Sequence, residues 1–206
     1  MKILITGGEG DLARFLCSEL SKASHIIYSP SKQELDVTDP ESVEKYFEGK
    51  YFDIVINNAG TLYSSLVADS DPLMWIRDIN VNLIGTYLVC RSALIGNKKT
   101  KIFNIASTAA FASYRDWTSY CASKAGVMTL SKGLYKDGYY VNVFCPGAID
   151  TKIRDGLNIN NPNVMAVEEG ANKILHAIQS GSNGDVYFYR KDESKLLNLD
   201  SDYLIP

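Results

Sequence analysis

Tyr120 and Lys124 bracket the run Y-C-A-S-K. A four-residue interval puts both side chains on one face of a helix, where an ammonium can lie beside a phenol. A free phenol ionises near pH ~10, and a neighbouring cation favours the phenolate, bringing the group toward acid–base work at neutral pH. Ser107, thirteen residues upstream at the end of an apolar run, adds a hydroxyl able to hydrogen-bond the same substrate oxygen. Taken alone, a Tyr and a Lys at this interval also make an ordinary surface pair, the lysine stem lying over the ring.

A second group of residues suits anion binding. In T6-G-G-E-G-D-L-A13 the glycines Gly7, Gly8 and Gly10 follow a short apolar run and open a helical pattern. Glycine there lets the backbone bend sharply and approach a pyrophosphate, whose charge rests on the free N–H groups of the helix N-terminus. Thr6, Glu9, Asp11 and Leu12 complete this candidate dinucleotide turn; the same pattern also serves a plain tight βα turn. An acidic residue that grips the adenosine ribose is expected about 20 residues further on, where the chain reads Tyr28-Ser29-Pro30-Ser31-Lys32. With no carboxylate there, Ser29, Ser31 and Lys32 can receive a 2′-phosphate, which favours NADP(H) over NAD(H), while Glu9 works against an added phosphate. Asp36, with Val37, either sets a carboxylate against the adenine amino group or caps a turn.

Elements that position these residues follow from periodicity. Short apolar runs at Ile3–Ile5, Ile26–Tyr28, Leu35–Val37, Ile54–Ile56, Ile102–Ile105, Tyr140–Phe144 and Val186–Tyr189 read as strands. Helical patterns cover the start of the chain after Gly10, then Pro40–Glu48 after the cap candidate Asp39, Pro72–Leu94, Trp117–Tyr135 and Glu168–Gln179. Strands that alternate with helices and are near-continuously apolar imply an α/β fold, a doubly wound parallel sheet covered on both faces. The 206 residues suit one domain spanning 1–206, with 152–163 a loop or lid.

Composition narrows the class. A hydrophobic fraction of 46%, a charged fraction of 22% and a net charge of -3 exclude fibrous and strongly disordered chains and supply no reason to approach nucleic acid or anionic lipid. Cys17, Cys90, Cys121 and Cys145 are scattered, which suggests neither a disulfide framework nor a metal site. With no signal peptide or long apolar stretch, a cytoplasmic protein is expected.

Over nearly its full length the sequence resembles the short-chain dehydrogenase/reductase superfamily. The motifs come in the family's order: T6-G-G-E-G, D36-V37, N57-N-A-G60, N82-L-I-G85, Ser107, Y120-C-A-S-K124 and P146-G-A-I-D-T151. The resemblance implies a Rossmann fold in which Asn58, Ala59 and Gly60, after the fourth strand, steady the central sheet and line the adenine–ribose side. Pro146, Gly147, Ile149 and Thr151 would flank the nicotinamide. It implies hydride transfer between NAD(P) and a carbonyl or alcohol carbon without a metal. Tyr120 would act as proton donor, Ser107 would polarise the oxygen, Lys124 would lower the Tyr120 pKa and hold ribose, and Asn82 (or Asn80 in a shifted register) would support a proton path. The compact turn is more like that of extended and atypical members, and with no room for a helix between Ser29 and Asp36 the stretch S31-K-Q-E-L-D-V-T-D39 together with D53-I-V-I-N57 resembles the N-terminal half of dTDP-4-dehydrorhamnose reductases, while the catalytic half stays classical in pattern.

Ala109, Phe111, Tyr114, Trp117, Leu62, Tyr63 and Ile153 are placed to make an apolar and aromatic pocket for a small carbonyl or alcohol, although each aromatic also suits plain core packing. Arg115 and Arg154 nearby leave an anionic substrate open. Other readings are an NADP(H)-sensing regulator without turnover, a sugar-nucleotide reductase and a carrier-linked ketoacyl reductase. Trp75, Tyr87 and Leu94 could serve a homodimer or homotetramer face or merely the core.

Overall fold

The computed structural model describes residues 1–155, 157 and 161–201. Strands β1 (Lys2–Ile5), β2 (Ile26–Tyr28), β3 (Ile54–Asn57), β4 (Lys101–Ile105), β5 (Val141–Pro146), β6 (Asp185–Arg190) and β7 (Glu193–Asn198) form one sheet in the order β2-β1-β3-β4-β5-β6-β7. All neighbours are parallel except β6 and β7, which form an antiparallel hairpin.

Period-two alternation splits the strands' side chains between two cores. Ile3, Ile5, Ile54 and Phe103 pack with residues of α1 (Asp11–Lys22) and α6 (Val167–Ser180) on one face. Leu4, Val55, Ile102 and Val143 pack on the other with α2 (Pro40–Phe47), α4 (Gly85–Gly96) and α5 (Thr118–Lys136). A doubly wound α/β sheet results, and the chain reverses its winding between β1 and β3, where the carboxyl ends of the strands leave a crevice.

One long helix departs from regularity. α3 (Pro72–Ile79), started by Pro72 and by the Asp71 side chain accepting from the Leu73 N–H at 2.9 Å, runs through a π-helical turn at Asn80–Ile84 into α4. These 25 residues are long and apolar enough to cross a membrane by length and composition; here Asp78, Asn82, Val89 and Ala93 on the helix are buried within the domain.

Two expectations about elements fail. Leu35–Val37 is not a strand: the Glu34 and Leu35 N–H groups donate to the Ser31 carbonyl, at 3.2 and 3.0 Å, and Asp39 N–H donates to Asp36 O at 3.2 Å. Local turns therefore use the backbone groups a ladder would need, although Leu35 and Val37 still reach the core. The sheet ends at β2, and N57-N-A-G60 follows the third strand rather than the fourth. β7 escapes periodicity because E-S-K-L-L-N on an edge has Ser194, Lys195 and Leu196 all exposed.

Candidate active site

The glycine turn joins β1 to α1 at the crevice. Gly7 adopts φ +68° and a Cβ there would lie 2.9 Å from Ala59 Cα; at Gly8 it would lie 2.3 Å from the Ser29 carbonyl oxygen. Neither position admits a side chain. Thr6 Oγ1 accepts from the Asn58 and Ala59 N–H groups at 3.1 and 3.0 Å, and Asn58 Nδ2 donates to Thr6 O at 3.0 Å, locking the turn to the end of β3. Gly10 precedes α1 without any side-chain cap, so the first-turn N–H groups of α1 lack intrahelical partners. Asp11, in that turn, accepts from the Lys152 N–H at 2.8 Å and so ties the turn to the chain after β5.

A cleft of about 940 Å³ runs from this turn across the carboxyl ends of β1, β3, β4 and β5. Gly7, Glu9, Gly10, Asp11 and Leu12 line it at one end, with Lys32, Asp36, Val37, Asn58, Ala59 and Gly60 beside them. Ser107, Tyr120, Lys124, Pro146, Gly147, Ile149 and Thr151 continue the wall, and Tyr114, Trp117 and Ile153 close the far end. Leu62, Arg115 and Arg154 also line the cleft, and other candidates lie behind it. Thr6 and Gly8 are structural supports, Ser29 Oγ is buried without a partner beneath Gly8, and Ser31 Oγ donates to Glu34 at 2.9 Å. Ala109 is buried, and Phe111 packs edge-on against Phe188 at 5.6 Å. Gly156, Asn158, Ile159 and Asn160, part of the expected 152–163 loop, lie outside the described residues.

Charge near the glycine turn is balanced within the protein. Desolvation raises the Asp36 carboxyl, but hydrogen bonds from the Thr38 hydroxyl (2.7 Å) and N–H (2.9 Å), with Lys32 Nζ at 3.6 Å, outweigh it and hold the group below the ordinary carboxylate range. Lys32 remains largely exposed.

Further along the cleft, Ser107 lies two residues beyond β4, and its Oγ accepts from the Ala109 N–H at 3.1 Å. Lys124 is buried, donates from Nζ to Ile105 O at 2.8 Å and sits 5.6 Å from the Tyr120 ring centroid. The ammonium is thus over the ring. Burial pushes the Tyr120 phenol up to about 12, with Ser107 drawing it partly back, and pushes Lys124 down to about 8. The expectation that Lys124 lowers the Tyr120 pKa is therefore not met in the free protein, where desolvation dominates both groups. Trp117 stands edge-on to Tyr120 at 5.9 Å and near Tyr114 at 5.5 Å, an aromatic wall leading to the phenol.

Asn82, set in the π-helical turn, is fully engaged: Nδ2 donates to Thr61 O and Ser123 Oγ, both at 2.9 Å, and Oδ1 accepts from Thr61 N–H at 2.8 Å. Asn80 is exposed. One turn before Asn82 lies a residue the motif reading missed. Asp78 is fully buried and accepts from the Thr61 hydroxyl (2.7 Å), the Tyr63 N–H (2.7 Å), the Ser119 hydroxyl (2.8 Å) and Arg77 Nη2 (3.3 Å). It joins the loop after β3 to the residue preceding Tyr120. Asp78, Asn82 and Thr86, polar at four-residue intervals and all buried, are a spacing visible in the sequence.

The cradle fits a dinucleotide: glycines that leave no room for Cβ atoms, an uncapped helix N-terminus, and a cleft long enough to reach from that turn to Tyr120. The chain matches the model of the family described as short chain dehydrogenase over residues 30–162. It is 30% identical over 199 residues to an uncharacterized oxidoreductase of Staphylococcus aureus (strain MW2), covering 90% of this chain and 83% of that one. It is also 30% identical over 161 residues to the 3-oxoacyl-[acyl-carrier-protein] reductase of Aquifex aeolicus (strain VF5), covering 72% of this chain and 64% of that one. Among solved structures, a small-chain dehydrogenase in complex with NADPH superposes with a TM-score of 0.81 at 22% identity, covering 90% of this chain and 94% of the other.

Proposed function

The chain belongs to the short chain dehydrogenase family, and from that premise we propose that it transfers a hydride between NADP(H) and the carbonyl or alcohol carbon of a small substrate. The observation that carries this reading is one cleft lined both by the glycine turn and by Ser107, Tyr120 and Lys124. A nicotinamide cofactor, when bound, supplies the hydride for reduction and accepts it in reverse. Thr6, Asn58 and the α1 N-terminus shape its phosphate cradle, and Lys124 lies where a ribose hydroxyl can be held. Tyr120, protonated across the neutral range by its burial, gives its proton to the carbonyl oxygen as negative charge develops there. Ser107 donates a hydrogen bond to the same oxygen, and the Trp117 and Tyr114 wall flanks the substrate, so the work is positioning and electrostatics.

The NADP(H) preference rests on Lys32, exposed at the ribose end with no carboxylate on the β2 terminus, against the opposing charges of Glu9 and Asp36. A second reading, a 3-oxoacyl thioester as the carbonyl, is favoured by the similarity to the Aquifex reductase. Assembly as a homodimer or homotetramer belongs to the same reading. Of the residues expected on that face, Tyr87 is exposed beside Ile84 and Ile95, whereas Leu94 is in the core and Trp75 Nε1 donates to Thr118 Oγ1 at 3.0 Å. The test is transfer of label from 4-deuterated NADPH to cyclic ketones, quinones, sugar ketones and acyl thioesters. Deuterium on the product alcohol carbon is expected; NADPH binding with no label transfer to any class would point instead to a cofactor sensor.

A further inference from the structure

Arg77, like Arg115 and Arg154, lines the cleft without a part in the catalytic reading, and of the three it is the one with a buried donor left without a partner. It precedes Asp78 on α3 and lines the cleft with Thr61 and Leu62. Its guanidinium has five donors in a rigid fork, and the protein employs few of them. Nη2 reaches Asp78 Oδ1 at 3.3 Å, Nη1 meets only the Met74 sulfur at 3.7 Å, and Nε is buried with no hydrogen-bond partner. Asp78 does not require the fork for its hydrogen bonds, because three donors at 2.7–2.8 Å already serve it. A buried guanidinium donor without an acceptor is costly, and a surface arginine free to extend into solvent would avoid that cost. Here the side chain is instead retained half-buried at the wall of the cleft.

Its surroundings choose the kind of group that would complete it. Thr61 and Leu62 follow Gly60, whose Cβ position would lie 3.8 Å from Lys124 Nζ, and Ser119, which shares Asp78 with Arg77, directly precedes Tyr120. Arg77 therefore belongs to the wall near the proton donor, away from the Lys32 end. We infer that Arg77 forms an anion subsite, and that the substrate is a carbonyl compound carrying a carboxylate: a keto acid whose carbonyl meets Ser107 and Tyr120 while its carboxylate takes the Arg77 fork. A turn of the side chain into the cleft exchanges the sulfur contact and the unpaired Nε for a bidentate pair, which Arg geometry favours over Lys.

This inference rests on the reductase reading, and the experiment separates the two. Pyruvate, acetoacetate and levulinate are each compared with their methyl esters as substrates for wild type, Arg77→Met and Arg77→Lys. Arg77→Lys keeps a cation beside Asp78 while removing the fork, and so guards against a variant that merely fails to fold. The wild type is expected to prefer at least one acid over its ester, and both variants are expected to lower that acid-to-ester ratio of kcat/KM by roughly ten- to a hundredfold, the range of a charge-assisted pair. Equal losses on acid and ester, a ratio shifted less than threefold, or a loss confined to NADPH affinity would overturn the subsite. Quenching of tryptophan fluorescence by the same acids reads binding without turnover, since Trp117 lines the cleft. Arg77-dependent quenching with no label transfer from 4-deuterated NADPH to these acids or to any of the carbonyl classes above would keep the subsite and sink the reductase reading; no Arg77-dependent quenching and no Arg77-dependent ratio would sink the subsite.

Discussion

Replacing Asp78 tests how the fold holds Tyr120. Its carboxylate is fully buried and receives hydrogen bonds from three elements: the loop after β3, the start of α5 and its own helix. In Asp78→Ala the Tyr63 N–H becomes a fixed orphan donor, the Thr61 and Ser119 hydroxyls must find new partners, and the Arg77 cation loses its counter-charge. Removing one side of such a buried charged network costs about 3–5 kcal/mol. For a chain of this size that lowers the melting temperature by roughly 10 °C. Asp78→Asn is milder. Its oxygen can keep the Tyr63 N–H, and its NH2 can face a Thr61 hydroxyl that rotates to accept, so about 1–2 kcal/mol is expected. Thermal and denaturant unfolding of both variants, with NADPH binding as a check on the cleft, measures the difference. An Asp78→Ala protein within about 1 kcal/mol of wild type would refute the claim that this hub organises the site.

Other perturbations test separate parts of the account. Burial holds Lys124 near 8, against an ordinary value of 10.5, so kcat/KM for reduction, which reports the free enzyme, should fall above about pH 8 as the ammonium is lost. Between the two values the unfolded chain binds more protons at this site than the folded one, so this group's contribution to stability rises with pH across that window; an activity profile flat to pH 10 would contradict the assignment. Lys32→Ala should weaken NADPH binding by about tenfold and change NADH binding less than threefold; equal effects on both, or a wild type preferring NADH tenfold, would remove the 2′-phosphate argument. Gly8→Ala would set a Cβ 2.3 Å from a backbone oxygen and should cost about 3 kcal/mol or more together with cofactor binding. Gly133→Ala in α5, with nothing within 4 Å, should stabilise by about 0.5–1 kcal/mol.

Much of the fold and of the site could be read from residue order because local chemistry and long-range placement agree there. Apolar runs such as Ile3–Ile5 and Ile54–Ile56 are buried on both faces and announce a covered parallel sheet. The glycine turn and Tyr120–Lys124 declare themselves by spacing. What could not be read was decided by competition among neighbours. Leu35–Val37 looks like a strand, yet its backbone partners are taken by Ser31 and Asp36 in local turns. β7 has a solvent-facing edge pattern and pairs only because the β6 hairpin returns it. Ser29 has the right chemistry for a phosphate, but the close approach of Gly8 leaves its hydroxyl beneath the turn. The Tyr120 pKa depends on desolvation, which spacing does not encode, and Asp78 acquires its role only when the loop after β3 and the start of α5 meet it.

The most direct test of the central claim is Tyr120→Phe, which removes the phenol oxygen and leaves the ring against Trp117. NADPH affinity within threefold of wild type, with hydride transfer to the best carbonyl substrate reduced by about a hundredfold or more, is the predicted result. Reduction within tenfold of wild type, at unchanged cofactor affinity, would show that the proton comes from elsewhere.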